Sequence, residues 1–368
     1  MKLLIIKIFV LCIKILYAPM KLRKVQNKVL YLSRQSNEKS ADMLMLEAGI
    51  NKISPDTTQV FRLRKLKDES AISLSYVFSI FGDMWEMASS KVVITDTYSI
   101  PVSCLKHKSS QKVVQIWHAM GAVKKFSLQA AGKAQGRDLG VAKAMHMHEN
   151  YDYVLAPSPA TGEVYCEAFG CRSENIKLLS LPRVDVILDG ENRREEFLSL
   201  NPLYVGKKLV AYVPTFREDD DAFARDLYEA FCHVSDMALI VSAHPLSKTS
   251  QQGDYALNGK FTSLDLMKLA DCVITDYSAC AFEAALLKKP LYFFVPDYDN
   301  YNEEQGLNVD VFTELTGVAF KDTAPLVEAV RDKYDFDMLE AFADKYVENK
   351  CNDNTERLAS FICSLLEE

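Results

Sequence analysis

"DCVITDYSACAFEAALLKKPLYFFVPD", Asp271 to Asp297, decides the fold. Its opening reads as a buried strand running into a polar turn at Asp276-Tyr277-Ser278. "AFEAALLKK" has helical composition, and "PLYFFVPD" returns to a strand pattern. Strand, turn, helix and strand in so short a stretch describe a crossover unit, which belongs to a parallel sheet. The same alternation extends in both directions. Upstream, "KLVAYVPTFR" and "MALIVSAHP" read as strands with polar ends, and "AFARDLYEAFCHV" and "SLDLMKLA" as helices. Downstream, from about residue 322, the tail is acidic and reads as helical throughout.

The first half repeats this grammar. "NKVLYLS" (27–33), "VFRLRKL" (60–66), "KVVITDT", "KVVQIWH", "DYVLAPS" and "NIKLLSLP" are strand patterns. "AISLSYVFSIFGDMWEMASS" (71–90), "AKAMHMHENY" and "PATGEVYCEAFG", closed by Gly170, read as helices. A polar, charged break, "LDGENRREEFLSLNPLYVGKK" (188–208), separates the halves. The expectation is an α/β chain of two Rossmann-like domains, 25–190 and 205–368, facing a central cleft, with ligands at the carboxyl ends of the strands. The C-terminal helix is placed to pack back on the N-terminal domain.

With 368 residues the chain has room for two domains. Its net charge of −7 argues against a nucleic-acid-coating surface. Nine cysteines, none in a CxxC pair, read as reduced thiols, neither a disulfide framework nor a zinc knuckle. Residues 1–37 depart from the average, with eight basic side chains and no acidic one. Lys7 and Lys14 interrupt the apolar run that a span of about 20 residues needs. The lysines are also not gathered ahead of an apolar core, as in a signal peptide. Lys7, Lys14 and Lys21 recur at a spacing that shares one helix face, with Pro19 placed to kink or end the helix. Residues 1–24 therefore read as a basic amphipathic helix on an anionic membrane surface. The competing reading docks the helix on the protein's own core.

Strand ends carry the candidate chemistry. In "QIWHAMGAVKK", His118 ends a strand, beside Trp117, and is either a base at a cleft or a core histidine. Neutral imidazole, with an unperturbed pKa of about 6.5, suits proton abstraction from an alcohol. Lys124 and Lys125 follow, fit to hold an anionic acceptor or to be solvated. Arg217 after "PT" suits bidentate phosphate binding or a salt bridge to Glu218–Asp221. His244 ends another strand before Pro245. Ser278 stands where a helix cap or a phosphate-binding turn would form, and Glu283 lies five positions on. His146 and His148 are two apart, which puts them on different helix faces, so they read as structural or surface groups and not metal ligands.

Taken in order, "WHAMGAVKK" (117–125), "PRVD" (182–185), "PTFR" (214–217), "HP" (244–245), "DYSACAFEAALLKKP" (276–290), "PDYDNYNEEQGL" (296–307) and "NDNTERLASFI" (352–362) resemble the CDP-glycerol glycerophosphotransferase family of teichoic acid and capsular-polymer primases and polymerases. The resemblance covers roughly residues 85–365. It implies a GT-B-type fold, a metal-independent site, no tightly bound cofactor, and CDP-glycerol or another CDP-alditol as donor. It implies an acceptor hydroxyl attacking the β-phosphorus and CMP leaving, at the cytoplasmic face of the cell membrane. The acceptor would be a lipid-linked, undecaprenyl-diphosphate-type saccharide. By the same resemblance, His118 is the general base, and His244, Arg217 and the Ser278 turn hold the pyrophosphate. Thr215, Tyr277, Asp276 and Glu283 belong to the donor side, and Lys124, Lys125, Arg183 and Asp185 to the acceptor side. Three positions depart from the family pattern: Ala119 and Leu181 replace glycines, and Ala279 replaces the second serine of the turn. The alternatives are a CDP-ribitol-using ribitolphosphotransferase, a sugar-nucleotide GT-B glycosyltransferase and a non-catalytic relative.

Overall fold

The computed structural model describes residues 1–65, 74–134, 136–215, 221–242, 260–348 and 350–368. The chain forms two compact units. Unit 1 comprises Met1–Met120, Phe126–Asp185 and Cys351–Glu368; unit 2 comprises Gly121–Lys125 and Val186–Lys350.

Unit 1 is built on a six-stranded sheet in the order β2-β1-β3-β4-β5-β6. Its strands are β1 (Gln26–Ser33), β2 (Thr58–Leu63), β3 (Ser90–Thr95), β4 (Lys112–Gln115), β5 (Tyr153–Ala156) and β6 (Ile176–Leu178), all parallel. The central strands β1, β3 and β4 are buried nearly end to end, which is why their sequences are continuous apolar runs and do not alternate. Helices α1 (Lys2–Met20), α2 (Ala41–Ile53), α3 (Leu74–Met87), α4 (Ile100–Cys104), α5 (Leu139–Ala144) and α6 (Pro159–Phe169) belong to unit 1, α7 (Arg183–Leu188) runs across the boundary after Asp185, and α16 (Asn354–Glu367), the last helix, is again in unit 1. The far C-terminus returns to this unit, where α16 packs on α2 and β3.

Ser158 caps α6 by accepting from Thr161 N–H at 3.1 Å, and Gly170 ends it with φ 62°. The expected helix over "AKAMHMHENY" stops instead at Ala144. His146, His148 and Asn150 all take left-handed φ, at 49°, 62° and 70°. Tertiary contacts hold this knotted turn: His148 Nδ1 pairs with Tyr151 Oη at 2.8 Å, and Asn150 Nδ2 donates to Ser103 O at 2.9 Å. A helix cannot pass through such residues.

Helix α1 is long and apolar enough to cross a membrane, by length and composition. It buries Val10, Ile13 and Tyr17 against unit 1 and turns Leu4, Ile5, Leu11 and Ile15 outward, each more than half exposed. Lys7 and Lys14 lie on its exposed surface.

Unit 2 repeats the design with a five-stranded sheet, order β11-β10-β9-β7-β8. The strands are β7 (Lys208–Val213), β8 (Met237–Val241), β9 (Cys272–Thr275), β10 (Leu291–Phe294) and β11 (Ala319–Phe320), again all parallel. Helices α8 (Arg194–Leu200), α9 (Asp221–Cys232), α10 (Ser263–Leu269), α11 (Cys280–Leu286), α12 (Tyr298–Glu304), α13 (Val311–Glu314), α14 (Thr323–Arg331) and α15 (Phe336–Tyr346) accompany them. The acidic tail is not one helix. It breaks before Asp335, which caps α15 by accepting from Asp337 N–H at 3.0 Å, and again before α16. Numbered from its own first strand, each sheet follows the order 2-1-3-4-5, and unit 1 adds a sixth strand.

Candidate functional site

In a parallel sheet the strand order reverses on either side of the first strand, and the crevice there is where ligands bind. In unit 1 that crevice lies between β1 and β3. Ser33 ends β1, Asp96 follows β3, and the Ser33 hydroxyl donates to Asp96 Oδ2 at 3.0 Å across it. Asp96 is 4% exposed, and its Oδ1 has no hydrogen-bond partner among the described residues. Burial pushes its carboxyl up to about 6, against the pull of the Ser33 hydroxyl.

His118, just past β4, reaches this crevice. Its Nδ1 lies 2.9 Å from the Asp96 carbonyl oxygen. A carbonyl only accepts, so Nδ1 carries the hydrogen and Nε2 keeps the lone pair. Burial lowers the pKa of the imidazole to about 4, with Arg183 adding to the effect and Asp42 opposing it. The ring is therefore neutral across the physiological range. The preceding residue, Trp117, holds a left-handed φ of 55°, an uncommon conformation for a bulky side chain. It is held there by Gln115 Oε1, which accepts from its N–H at 2.9 Å, and by packing against Phe126 and Phe169 at ring distances of 5.0 and 5.2 Å. Tyr165 Oη donates to the Ala119 carbonyl at 2.7 Å and fixes the turn on the other side of His118.

Arg183 and Asp185 are engaged in the frame of unit 1. Asp42, 2% exposed, accepts from Arg183 N–H and from Arg183 Nε, both at 2.8 Å. Asp185 receives Asn354 N–H and Nδ2 on one oxygen, at 2.9 Å each. On the other it receives Thr355 N–H at 2.9 Å and Thr355 Oγ1 at 2.6 Å. Burial works to raise the Asp185 pKa, but these donors outweigh it and hold the carboxyl below the usual range. "PRVD" and "NDNT" thus meet: the first clamps the opening turn of α16. Lys124 and Lys125 lie in unit 2, where Lys124 pairs with Leu307 in an antiparallel bridge and Lys125 N–H donates to Gly306 O at 2.9 Å. A Cβ on nearby Gly121 would stand 2.6 Å from the Phe282 ring, which explains the small residue there.

The matching crevice in unit 2 lies between β7 and β9. Thr215 N–H donates to Asp276 Oδ1 across it at 2.7 Å. Asp276 is fully buried, and the Thr215 hydroxyl, itself buried, has no partner among the described residues. Tyr277 donates its hydroxyl to Asp297 Oδ1 at 3.0 Å and stacks on Tyr301 with ring centroids 3.8 Å apart. The Ser278 hydroxyl accepts from Cys280 N–H at 3.3 Å, while the cap position of α11 falls one residue later, on Ala279, whose side chain supplies no hydrogen bond. Glu283 is half-buried on α11. Arg217 and His244 lie outside the described residues. His148 is buried and pushed down to about 3 by desolvation, and His146 bonds Glu149 at 2.9 Å. Among the described residues no cluster of histidine, cysteine or carboxylate groups could hold a metal ion.

Sequence reasoning passed over Ser33, Asp42 and Asp96. One signal for Asp96 was present: "KVVITDT" and "CVITDYS" end in the same Ile-Thr-Asp.

A family model described as CDP-Glycerol:Poly(glycerophosphate) glycerophosphotransferase matches residues 16–364. A teichoic acid ribitol-phosphate primase of Bacillus spizizenii is 30% identical over 309 residues, covering 79% of each chain. A teichoic acid glycerol-phosphate primase of Bacillus subtilis is 26% identical over 295 residues, covering 76% of this chain and 75% of the relative. Among solved structures, the wall teichoic acid polymerase TagF superposes with a TM-score of 0.71 at 18% identity, over 95% of this chain and 93% of that one. Staphylococcus aureus MnaA, in a co-structure with UDP, gives 0.60 at 11% identity, over 93% and 98%. These two likenesses establish the fold, two Rossmann-like units of GT-B type.

Proposed function

The chain belongs to the CDP-glycerol:poly(glycerophosphate) glycerophosphotransferase family, and on that premise we propose that it transfers an alditol phosphate from a CDP-alditol to a hydroxyl of a lipid-linked teichoic acid acceptor. The acceptor oxygen attacks the β-phosphorus of the donor. A new P–O bond forms, the bond from that phosphorus to the bridging oxygen breaks, and CMP leaves with the electron pair. The acceptor's proton passes to His118 Nε2. The observation that carries this reading is the fixed tautomer of His118, a neutral imidazole with its lone pair on Nε2 and its Nδ1–H bound to the Asp96 carbonyl. Phosphoryl transfer needs positioning and charge neutralisation more than covalent help, and a base held neutral at pH 7 fits that need.

On the donor side, Thr215, Asp276, Tyr277, Ser278 and Glu283 of unit 2 surround the donor, with the Thr215 hydroxyl, which has no partner among the described residues, as a hydrogen-bond donor to it. Arg217 and His244 neutralise the diphosphate. Lys124 and Lys125 act on the acceptor's anionic groups, and Arg183 and Asp185 serve the acceptor side by holding the frame around His118. The decisive measurement is a donor panel of CDP-glycerol, CDP-ribitol and UDP-sugars with a lipid-linked acceptor, scored by nucleotide release and product mass. CMP release with an added alditol phosphate is expected. UDP release with sugar transfer would overturn the reading.

Helix α1 seats the enzyme on the cytoplasmic face of the membrane, with Leu4, Ile5, Leu11 and Ile15 in the lipid and Lys7 and Lys14 toward anionic headgroups. Changing Leu4, Leu11 and Ile15 together to serine should release the protein from phosphatidylglycerol vesicles in a sedimentation assay. Equal sedimentation of both proteins would remove the assignment.

A further inference from the structure

We propose that the pocket of unit 1 walled by Arg34, Arg62 and Arg64 binds the diphosphate group of a lipid-linked diphosphate, and that this group anchors the acceptor beside His118. The second half of the proposal rests on the transfer reaction proposed above; the first half does not. The pocket is a cavity of about 130 Å³ at the carboxyl ends of β1, β2 and β3. Among the described residues that line it, three are arginines and one, Asp83, is a carboxylate. Asp83 is taken by Arg62, whose Nε donates to its Oδ1 at 2.8 Å, while Arg62 Nη2 donates to Ser79 O at 3.3 Å. Arg34 is held less closely. Its Nη1 donates to Tyr98 O at 3.3 Å, and its Nε, buried, has no hydrogen-bond partner among the described residues. A buried donor on a charged group that lacks an acceptor costs free energy. A phosphoryl oxygen in the cavity removes that cost, and the edge of a guanidinium matches a pair of such oxygens.

The surroundings reinforce the positive field. Arg34 and Arg137 both stand over the Tyr98 ring, with Cζ 5.8 and 5.9 Å from its centroid. Burial raises the Tyr76 pKa, and Arg34, Arg137 and Arg64 all act against that rise. Guanidinium groups gathered in this way repel one another, and an anion between them relieves the repulsion. The sequence also makes room for the cluster. A Cβ on Gly82 of α3 would overlap Arg62 Nη2 and stand 3.0 Å from Arg62 Cζ, so the guanidinium lies against bare helix backbone. The place of the pocket suits an acceptor anchor. Ser33, one of its walls, donates to Asp96 Oδ2, and the Asp96 carbonyl accepts from His118 Nδ1–H. Arg34 N–H donates to Thr97 Oγ1 at 3.3 Å, which ties the pocket's floor to the end of β3. Helix α3 walls the pocket with Tyr76, Ser79 and Asp83 on one face and exposes Phe78 and Trp85, 71% and 49%, on another. Helix α1 packs against α3, so the helix that walls the anion pocket also continues the apolar surface begun by Leu4, Leu11 and Ile15. A charged cavity and an apolar face on one helix fit a ligand with a phosphorylated head and a hydrocarbon tail.

Two variants of the full chain, Arg34→Met and Gly82→Ala, test the proposal by calorimetric titration with farnesyl diphosphate, CDP being present in excess to fill the donor side. Arg34→Met should weaken binding by about 10–100-fold, the worth of a charged hydrogen-bond donor. Gly82→Ala keeps every charge and adds a better helix former, yet displaces the Arg62 guanidinium. It should weaken binding by about 3–10-fold with a urea midpoint no lower than that of the wild type. If Arg34→Met fails to fold, Gly82→Ala decides alone. Wild-type affinity in a folded Arg34→Met, or in Gly82→Ala where it decides, overturns the proposal. Two further arms separate the sources of the phosphate. Sedimentation with phosphatidylglycerol vesicles should be the same for Arg34→Met and wild type; a fall there with farnesyl diphosphate affinity retained would assign the pocket to a membrane headgroup and overturn it. Inorganic phosphate should bind the wild type far more weakly than farnesyl diphosphate; equal affinity, lost equally in Arg34→Met, would make it a free-anion site and overturn it too. In turnover, Arg34→Met should raise KM for a lipid-linked diphosphate acceptor by about 10-fold, with kcat and the CDP-alditol KM little changed. An unmoved acceptor KM beside weakened farnesyl diphosphate binding overturns the anchoring half. Binding that depends on Arg34 in a protein that releases no CMP would sink the transfer reading and leave the pocket assignment standing. CMP release with both variants binding as wild type would sink the pocket alone.

Discussion

The two units carry the same three residues at the same place. Ile94-Thr95-Asp96 and Ile274-Thr275-Asp276 each end the third strand of a sheet ordered 2-1-3, and each aspartate is bridged across the crevice to the first strand. The bridges differ in kind. Asp276 takes a backbone N–H, from Thr215 at 2.7 Å, which locks the ends of β7 and β9 as part of the main chain. Asp96 takes a side-chain hydroxyl, from Ser33 at 3.0 Å, leaves Oδ1 without a hydrogen-bond partner among the described residues, and turns its carbonyl to the imidazole of His118. One aspartate ties a turn beside Tyr277 and Ser278 to the main chain. The other is kept under-satisfied, with a raised pKa, next to the group read as the base. The same local sequence is thus held by a backbone donor in one unit and by a side-chain donor in the other. The difference lies in what the neighbouring strand presents.

The largest effect expected from breaking this comparison is at His118. His118→Asn retains a group able to donate to the Asp96 carbonyl but offers no basic lone pair, and CMP release with acceptor present should fall by about 10²–10⁴-fold. A fall of less than threefold would mean that the unit 1 crevice does not supply the base. Next comes Asp276→Ala. It strands the buried Thr215 N–H, and urea unfolding should show a loss of about 1–3 kcal/mol. No loss would mean that the Thr215 contact is dispensable and that the two aspartates are alike after all.

The alternation of strand and helix was legible because a strand buried on both faces must be a continuous apolar run, and "VVIT", "LVAYV" and "LYFFV" admit little else. His118 was legible as a strand-end histidine and, through the family resemblance, as the candidate base, but its tautomer was not, since that is set by the backbone carbonyl of a residue 22 positions away. The role of Asp185 was hidden for the same reason: its four donors come from residues 354 and 355, and only the folded chain brings α16 back to them. The helix read over 142–151, which ends at Ala144, shows the limit of periodicity. "AKAMHMHENY" has helix-forming residues, yet Tyr151 and the carbonyls of 102–105 take its polar groups, and left-handed backbone at His146, His148 and Asn150 follows. Ser33 gave no signal, because a serine ending a strand is ordinary in any sequence.

The last expected effect, no larger than that at Asp276, most sharpens the contrast, because its sign is reversed. Asp96 is held at about 6 in the folded chain, above the roughly 3.9 of an unfolded aspartate. A group whose pKa is raised by folding supports the native state while it is protonated, and that support is lost as pH rises through the folded value. Between pH 4 and 6 the native carboxyl still holds its proton while the unfolded one gives it up. Above 6 the fold carries a buried charge, one oxygen of which has no hydrogen-bond partner among the described residues. Asp96→Asn removes the charge and keeps an oxygen for the Ser33 hydroxyl and the backbone carbonyl for His118. It should therefore stabilise the protein at pH 8, by about 1–3 kcal/mol, and do so progressively less as pH falls toward 4. Paired urea titrations at pH 4.5 and pH 8 read this directly. A gain of equal size at both would assign it to packing rather than to ionisation. A loss at pH 8 would show that the Asp96 carboxylate is satisfied as fully as its counterpart, and the distinction between a structural and a chemically poised strand end would fall.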